Sequence, residues 1–278
     1  MNAKVWIDGA LVAAEDACVS PFDHGLLTGD GVFETLKAYG GRVFAARRHL
    51  ERLAASAAGL GLALPGDDVL REAMAAVVSA NQLGDARLRI TVTGGPSALG
   101  SDRGPSGPTV IVAGGALPVW PPSVDVSVVP WPRNERGALA GLKTISYGEN
   151  VVALAWAKER GAGEAIFANT VGSLCEGTGT NVFLVGGGRL ITPPLSSGCL
   201  AGVTRALLLE TGLAVEEDVP VGALAVAPEA FLASTTREVQ PIRAVDGEPL
   251  QGGAPGPLTK AAAAAFAELV ASGRELEG

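Results

Sequence analysis

The chain has 278 residues, of which 47% are hydrophobic and 18% charged, and its formal net charge is −8. This composition is typical of a folded globular protein rather than a disordered one. Because Lys and Arg form no concentrated run, we expect no nucleic-acid partner. The N-terminal residues lack a long apolar segment, and no stretch of about 20 apolar residues follows, so the sequence predicts a cytoplasmic protein with no membrane partner.

Cysteine and histidine usage bears on two further kinds of site. The three cysteines, Cys18, Cys175 and Cys199, are widely separated, and the histidines are His24 and His49. Disulfide scaffolds need paired cysteines, and zinc sites need closely spaced Cys and His ligands. We therefore expect neither a disulfide framework nor a metal site.

The first half of the chain predicts hairpins followed by helices. Asp8-Gly9 is typical of a tight turn between two strands. Apolar residues at three- and four-residue steps predict an amphipathic helix over 47–60. A second helix is predicted over 67–82, with Asp67 as its N-cap and Gly84 just beyond its end. The predicted strands cover 5–7, 10–12, 32–39, 42–44, 87–93 and 109–113.

A proline pair marks the predicted domain boundary. Pro121-Pro122 fits neither a helix nor a central strand, so we predict an N-terminal domain over 1–116, a linker over 117–122 and a C-terminal domain over 123–278. Because strands and helices mix without strict βαβ order, the predicted fold class is α+β. In the second half, strands are predicted over 124–129, 165–168, 182–185, 189–192, 231–234 and 242–245, and helices over 149–160, 203–211 and 258–272.

Three short segments in the second half could carry chemistry. Lys143 lies in Gly-Leu-Lys-Thr-Ile-Ser-Tyr, and a lysine beside a pocket can lose its proton and form a Schiff base. Glu176 is followed by a turn of small polar residues that ends in Thr180 and Asn181, which brings the backbone close to a ligand. The third segment, Gly-Cys-Leu-Ala-Gly-Val-Thr-Arg over 198–205, begins a predicted helix.

Together these segments resemble the active-site set of the fold-type IV enzymes that use pyridoxal 5′-phosphate (PLP). That family includes branched-chain aminotransferases, D-amino-acid aminotransferases and aminodeoxychorismate lyases. The resemblance implies two α/β domains with the cofactor in the cleft between them, and a homodimer as the working unit. It also implies that Lys143 is the catalytic lysine, which binds PLP as a Schiff base and moves the substrate proton, and that Glu176 pairs with the pyridine nitrogen.

The remaining cofactor residues are expected to hold the phosphate and the ring. A helix N-terminus suits a phosphate dianion, and a guanidinium can bind one directly. The His-x-x-Arg-Leu run resembles the family motif that places Arg52 on the phosphate, and the hydroxyl run over 234–236 resembles a second phosphate loop. The residues expected here are Arg52, Thr180, Asn181, Leu200, Val203, Thr204, Ser234 and Thr235.

Substrate residues are expected on the first domain and on the hydroxyl run. The resemblance places Phe33 in the substrate pocket and adds Thr236. Alternation along the predicted strand turns Arg89 away from Ile90 and Val92, so Arg89 is our candidate for the substrate carboxylate and Arg103 the alternative.

We therefore predict a PLP-dependent transaminase that moves an amino group between an amino acid, preferably a D-amino acid, and a 2-oxo acid. Two alternatives use the same cofactor. One is an aminodeoxychorismate lyase that releases pyruvate and 4-aminobenzoate, and the other is a branched-chain L-amino-acid aminotransferase.

Overall fold

The computed structural model describes residues 3–277, which form a mixed α+β protein. The strands are β1 (Lys4–Ile7), β2 (Ala10–Ala13), β3 (Gly31–Tyr39), β4 (Arg42–Phe44), β5 (Ala86–Thr93), β6 (Val110–Ala116), β7 (Val124–Val128), β8 (Glu164–Ala168), β9 (Leu174–Gly177), β10 (Asn181–Gly186), β11 (Arg189–Thr192), β12 (Ala214–Glu216), β13 (Ala230–Ser234), β14 (Glu238–Val245), β15 (Glu248–Pro249) and β16 (Leu276–Glu277). The α-helices are α1 (His24–Thr28), α2 (Ala46–Leu60), α3 (Asp67–Ala80), α4 (Gly148–Glu159), α5 (Val203–Glu210), α6 (Ala223–Val226) and α7 (Pro257–Ala271), and a short 3-10 helix covers Leu195–Ser197.

The chain divides into two compact units. The first runs to Pro118 and also takes in Leu142–Tyr147 and the residues from Glu275 onward, and the second comprises Val119–Gly141 and Gly148–Arg274. The boundary between Pro118 and Val119, where the chain first passes from one unit to the other, therefore falls within the predicted linker. The sequence analysis had placed Lys143 with the second domain, and this was wrong because its segment packs within the first unit.

The first unit is built on one sheet with strand order β16-β4-β3-β5-β6-β1-β2. Strand β3 alternates its side chains, so that Val32 and Leu36 face the hydrophobic core, into which α2 sends Leu50 and Leu53. These four side chains are at most 1% exposed. Burial of one apolar helix face is the main force that holds such a layer together.

The second unit is built on a mixed sheet with order β12-β11-β10-β13-β14-β7-β8-β9, to which β15 adds beside β14. Its parallel pairs are β11–β12, β14–β7 and β7–β8. Helix α5 packs near β13, and α7 packs near β14. Phe183 and Phe231 pair across β10 and β13, and their rings stack with centroids 4.7 Å apart.

Several details differ from the sequence predictions. Helix α3 begins at Asp67, but its N-cap is Gly66, so the predicted capping role of Asp67 was wrong. The same helix ends at Ala80 with Asn81 as its C-cap, which leaves Gly84 outside the cap. The sequence analysis missed α1, which has five residues, and β9, which ends in Glu176 and Gly177, two residue types that are uncommon in strands. No helix of the described residues combines the length and the apolar character needed to cross a membrane.

Candidate active site

The segment that carries Lys143 extends the first sheet beside the start of β3. The Phe33 amide donates to the Lys143 carbonyl at 3.1 Å, and the Ile145 amide donates to the Gly31 carbonyl at 2.9 Å. From the helix side, the Ser56 hydroxyl accepts a hydrogen bond from the Lys143 amide at 3.0 Å. The lysine backbone is thus fixed by a strand and a helix of the same unit.

The Phe33 ring is the wall against which the lysine lies. Its side chain is buried, the Lys143 Nζ atom lies 4.1 Å from the ring centroid, and the Arg89 Cζ atom lies 3.8 Å from it. Tyr147 meets the same ring edge-on, with centroids 5.3 Å apart. Cations near an aromatic face are attracted to its quadrupole. An amine and a guanidinium therefore both contact the Phe33 ring.

The predicted alternation of β5 is confirmed. Ile90 and Val92 are fully buried, whereas Arg89 is exposed and donates through Nε to the Thr91 hydroxyl at 3.1 Å. The alternative carboxylate candidate, Arg103, is engaged elsewhere. It forms two hydrogen bonds of 2.6 Å to Asp30. Of the two candidate arginines, Arg89 is the one with a described contact to Phe33.

A buried ion pair that the sequence analysis missed lies on the helix-facing side of β3. Glu34 is fully buried and accepts hydrogen bonds from Arg52 Nε at 2.7 Å and from Arg52 Nη2 at 2.8 Å. His49 Nδ1 lies 2.8 Å from Glu34 Oε2. The signal in the sequence was an acidic residue at a core-facing position of β3, since a buried carboxylate requires a partner.

Burial and charge set the protonation of this group. Burial alone would raise the pKa of Glu34, but the Arg52 guanidinium and the hydrogen bond from His49 lower it to about 2. Burial lowers the pKa of His49 below its usual value, although Glu34 opposes that shift. At neutral pH the carboxyl is therefore ionised and the imidazole neutral.

In the second unit, Glu176 is held at both carboxylate oxygens. Its Oε2 atom accepts from the Leu200 amide at 2.9 Å, and its Oε1 atom lies 3.5 Å from Arg133 Nε. The Arg133 guanidinium stacks on Phe167, 4.1 Å from the ring centroid, and donates to Asn150 Oδ1 at 3.1 Å. Arg133 is a residue that the sequence analysis did not assign, because its partners come from distant parts of the chain.

The loop before α5 is fitted to the start of β10. Asn181 Nδ2 donates to the Leu200 carbonyl at 2.9 Å. A Cβ atom on Gly202 would collide with Asn181 Oδ1, so the approach requires glycine there. Gly202 is the N-cap of α5, and no described side chain caps that helix. The amides of Val203 and Thr204 therefore form a helix start suited to an anion.

The hydroxyl run over 234–236 lies at the same end of the β10–β13 pair as Asn181. Asn181 pairs with Ala233, so the turn that follows Ser234 lies beside the turn that precedes Asn181. Thr235 and Thr236 are half-buried in this turn. The Thr180 hydroxyl is buried without a hydrogen-bond partner in the described part of the protein. A buried hydroxyl in this condition fits a bound polar group.

The Glu164 carboxylate forms hydrogen bonds to residues of both turns. Glu164 Oε1 accepts from the Thr178 amide at 3.2 Å, and Arg237 Nη2 donates to Glu164 Oε2 at 3.1 Å. Arg237 follows the hydroxyl run directly, and its amide donates to the Ser234 hydroxyl at 3.3 Å. The predicted cofactor residues of the second unit are therefore neighbours in its fold.

Comparison with known proteins identifies the family. The model of the family described as amino-transferase class IV matches residues 31–245. The chain belongs to this family. It is 36% identical to a putative branched-chain-amino-acid aminotransferase of Methanocaldococcus jannaschii over 275 residues, which cover 92% of this chain and 93% of that protein.

Two further proteins are similar over nearly the whole chain. A D-alanine aminotransferase of Bacillus licheniformis is 33% identical, with 92% of this chain and 93% of that protein covered. The crystal structure of a branched-chain aminotransferase from Thermoproteus uzoniensis with norvaline superposes with a TM-score of 0.91 at 32% identity, covering 99% of this chain and 97% of that one.

Membership in this family establishes the general activity. The protein is an aminotransferase whose cofactor is PLP and whose substrates are small amino and keto acids. The predictions of a fold-type IV α+β fold and of PLP are confirmed. Each unit separately offers groups that fit that cofactor. In the first unit, Lys143 has a hydrogen-bonded backbone and an amine beside Phe33. In the second unit, the described residues offer a held carboxylate, an uncapped helix start and a buried hydroxyl without a partner.

Proposed function

We propose that this aminotransferase acts on amino acids with branched apolar side chains, with Lys143 as its catalytic lysine. The observation that carries this proposal is the Phe33 ring, which lies 4.1 Å from the Lys143 amine and 3.8 Å from the Arg89 guanidinium. An amine, a cation for a carboxylate and an apolar wall are the three elements that recognise such a substrate. The relatives from Methanocaldococcus jannaschii and Thermoproteus uzoniensis also bear branched-chain names.

Each predicted residue has a defined task under this proposal. When bound, PLP withdraws electrons from the α-carbon of the amino acid, which loosens the α-proton. Lys143 holds the cofactor through Nζ and then accepts and returns that proton. Glu176 holds a proton on the pyridine nitrogen, and its own position is set by the hydrogen bond from the Leu200 amide and by the nearby charge of Arg133. Arg89 binds the substrate carboxylate beside Phe33.

Several groups are assigned to the phosphate under this proposal. Arg52 donates from its guanidinium, and the amides of Val203 and Thr204 donate from the start of α5. The hydroxyls of Ser234, Thr235 and Thr180 add neutral donors, which suit a dianion. Leu200 and Asn181 shape the ring surface, and Thr236 contacts the substrate.

A D-amino acid is the second candidate for the substrate. The relative from Bacillus licheniformis is named a D-alanine aminotransferase, and a carboxylate at Arg89 is compatible with either stereochemistry. The preference for D-amino acids therefore stays a prediction. We also propose a cytoplasmic homodimer, and sedimentation velocity of the purified protein would measure the oligomeric state.

Absorbance spectra of the purified protein with PLP test the proposal. We expect L-leucine to convert the cofactor band to that of the pyridoxamine form, and 2-oxoglutarate to restore it. Conversion by D-alanine alone would establish the D-amino-acid alternative instead. If no amino acid converts the cofactor but pyruvate is released from aminodeoxychorismate, the protein is the lyase.

A further inference from the structure

The Glu34–Arg52 pair has the geometry of an orienting clamp. Strand alternation turns Glu34 toward α2, and its two oxygens bind the Nε–Nη2 edge of Arg52 at 2.7 and 2.8 Å. The guanidinium is planar and rigid. When one edge is bound by both atoms, the direction of the opposite edge is therefore fixed as well.

Stability alone does not account for this pair. Glu34 is fully buried next to the core residues Val32 and Leu36, and a buried ion pair can often be replaced by apolar side chains without loss of stability. The two charges also cancel, so Arg52 brings directed N–H groups rather than net charge. The burial of the pair and the cancellation of its charges are both explained if Glu34 serves to orient the Arg52 guanidinium.

His49 holds the carboxylate from another side. Its Nδ1 atom lies 2.8 Å from Glu34 Oε2, and a neutral imidazole donates one N–H to that oxygen. His49 and Arg52 are three residues apart on α2, so they project from the same helix face. The position of the Glu34 carboxylate is therefore held by His49 as well as by Arg52.

We propose that Glu34 is the positioning residue that directs Arg52 at the phosphate of the cofactor. The inference rests on the proposed role of Arg52 as a phosphate ligand. Glu34 acts only through Arg52, so its removal weakens binding of the phosphate and leaves binding of the pyridine ring unchanged. This distinction separates a positioning role from a general structural role.

The test compares PLP with pyridoxal, which lacks the phosphate, as ligands of the apoprotein. We expect Glu34→Gln and Arg52→Gln each to weaken PLP binding by about tenfold or more without changing pyridoxal binding. The double variant should be no weaker than Arg52→Gln alone. Glu275→Gln is the matched control, because it removes the ion pair of Arg48 on the same helix, and PLP binding should remain normal.

The outcomes separate this inference from the proposed site. Weaker PLP binding in Arg52→Gln but not in Glu34→Gln would overturn the positioning role alone, as would equal losses for PLP and pyridoxal in Glu34→Gln. Normal PLP binding in Arg52→Gln would overturn the assignment of Arg52 to the phosphate and, with it, the positioning role of Glu34. If Glu34→Gln does not fold, Glu34→Asp decides, because it keeps the charge but shortens the reach, and a selective loss for PLP is again expected.

Discussion

The Leu200 amide donates a hydrogen bond of 2.9 Å to the Glu176 carboxylate, whose other oxygen lies 3.5 Å from Arg133. This contact joins β9 to the loop that leads into α5, so the proposed ring partner and the proposed phosphate cradle form one assembly. A substitution of Glu176 can therefore remove the negative charge and keep the contact with the loop, or it can remove both.

Glu176→Gln should lower kcat by about tenfold or more, equivalent to about 1.4 kcal/mol of transition-state stabilisation. The amide oxygen can still accept from Leu200, but the negative charge is lost. Steady-state kinetics at saturating PLP would measure the change. Glu149→Gln is the control, because Glu149 also pairs with Arg133 yet is 77% exposed at its side chain. Equal kcat values for all three proteins would contradict the role of Glu176.

Lys143→Ala should abolish turnover, because the amine that holds the cofactor and moves the proton is removed. General acid–base groups contribute roughly 10²–10⁴-fold to rate, and the loss should be at least this large. Borohydride reduction followed by peptide mass spectrometry would locate the cofactor on Lys143 in the wild type. A cofactor adduct at another lysine, such as Lys158, would exclude this assignment.

Arg89→Ala should raise KM for the amino acid by about tenfold or more while PLP remains bound, because a charge-assisted hydrogen bond to the carboxylate is lost. Arg87→Ala provides the control, since Arg87 shares the exposed strand face but has no contact with Phe33 among those described. Unchanged kinetics in Arg89→Ala would remove Arg89 from the substrate site.

Stability should fall as the pH drops below about 6.5, the usual pKa of histidine. Burial lowers the pKa of His49 in the folded protein, so the unfolded chain takes up its proton first and unfolding is favoured. Urea unfolding at pH 8 and pH 5 would measure this difference, and His49→Gln should reduce it. An equal pH dependence in the variant would show that His49 does not contribute.

Glu34 acts in a lower pH window. Its pKa of about 2 in the folded protein lies below the ordinary value of 4.5, so its stabilising effect is complete above about pH 4.5 and is lost as the pH falls toward 2. The contributions of His49 and Glu34 to stability can therefore be distinguished, because urea unfolding of His49→Gln and of Glu34→Gln should depart from the wild type in different pH ranges.

Gly202→Ala should weaken PLP binding and destabilise the second unit by about 1–3 kcal/mol, because the added methyl collides with Asn181 and forces a shift. Gly222→Ala is a matched control, since Gly222 is also a helix N-cap and its Cβ would meet nothing within 4 Å. Thermal unfolding of the apoproteins and PLP titration would compare the two. Identical behaviour of both variants would contradict the proposed close packing.

Local patterns were enough to predict most of the fold. The strand at β3, the hairpin at Asp8-Gly9 and the apolar face of α2 each follow from short-range periodicity or turn preference. Caps and short elements were less predictable. Asp67 is a residue type that favours the N-cap position although Gly66 occupies it, and β9 ends in Glu176 and Gly177, which are uncommon in strands.

Long-range pairing limited the prediction of the site. Lys143 and Glu176 stand in recognisable runs, but the partners of Glu34 are 15 and 18 residues away on another element. Tyr147 and Arg133 become identifiable only when strand pairing brings Phe33 and Phe167 beside them. No local pattern encodes such contacts, because they depend on which elements pack together.

The Lys143 segment and the strand from Glu275 onward have a consequence for how the protein is made. The Ala45 amide donates to the Glu275 carbonyl at 2.6 Å, and Leu276 pairs with Phe44. During synthesis the first unit cannot complete its sheet until residues 275–277 have left the ribosome. A fragment cut at Pro118 would lack both this edge strand and the proposed catalytic amine, so a single cut in the linker cannot yield an intact first unit.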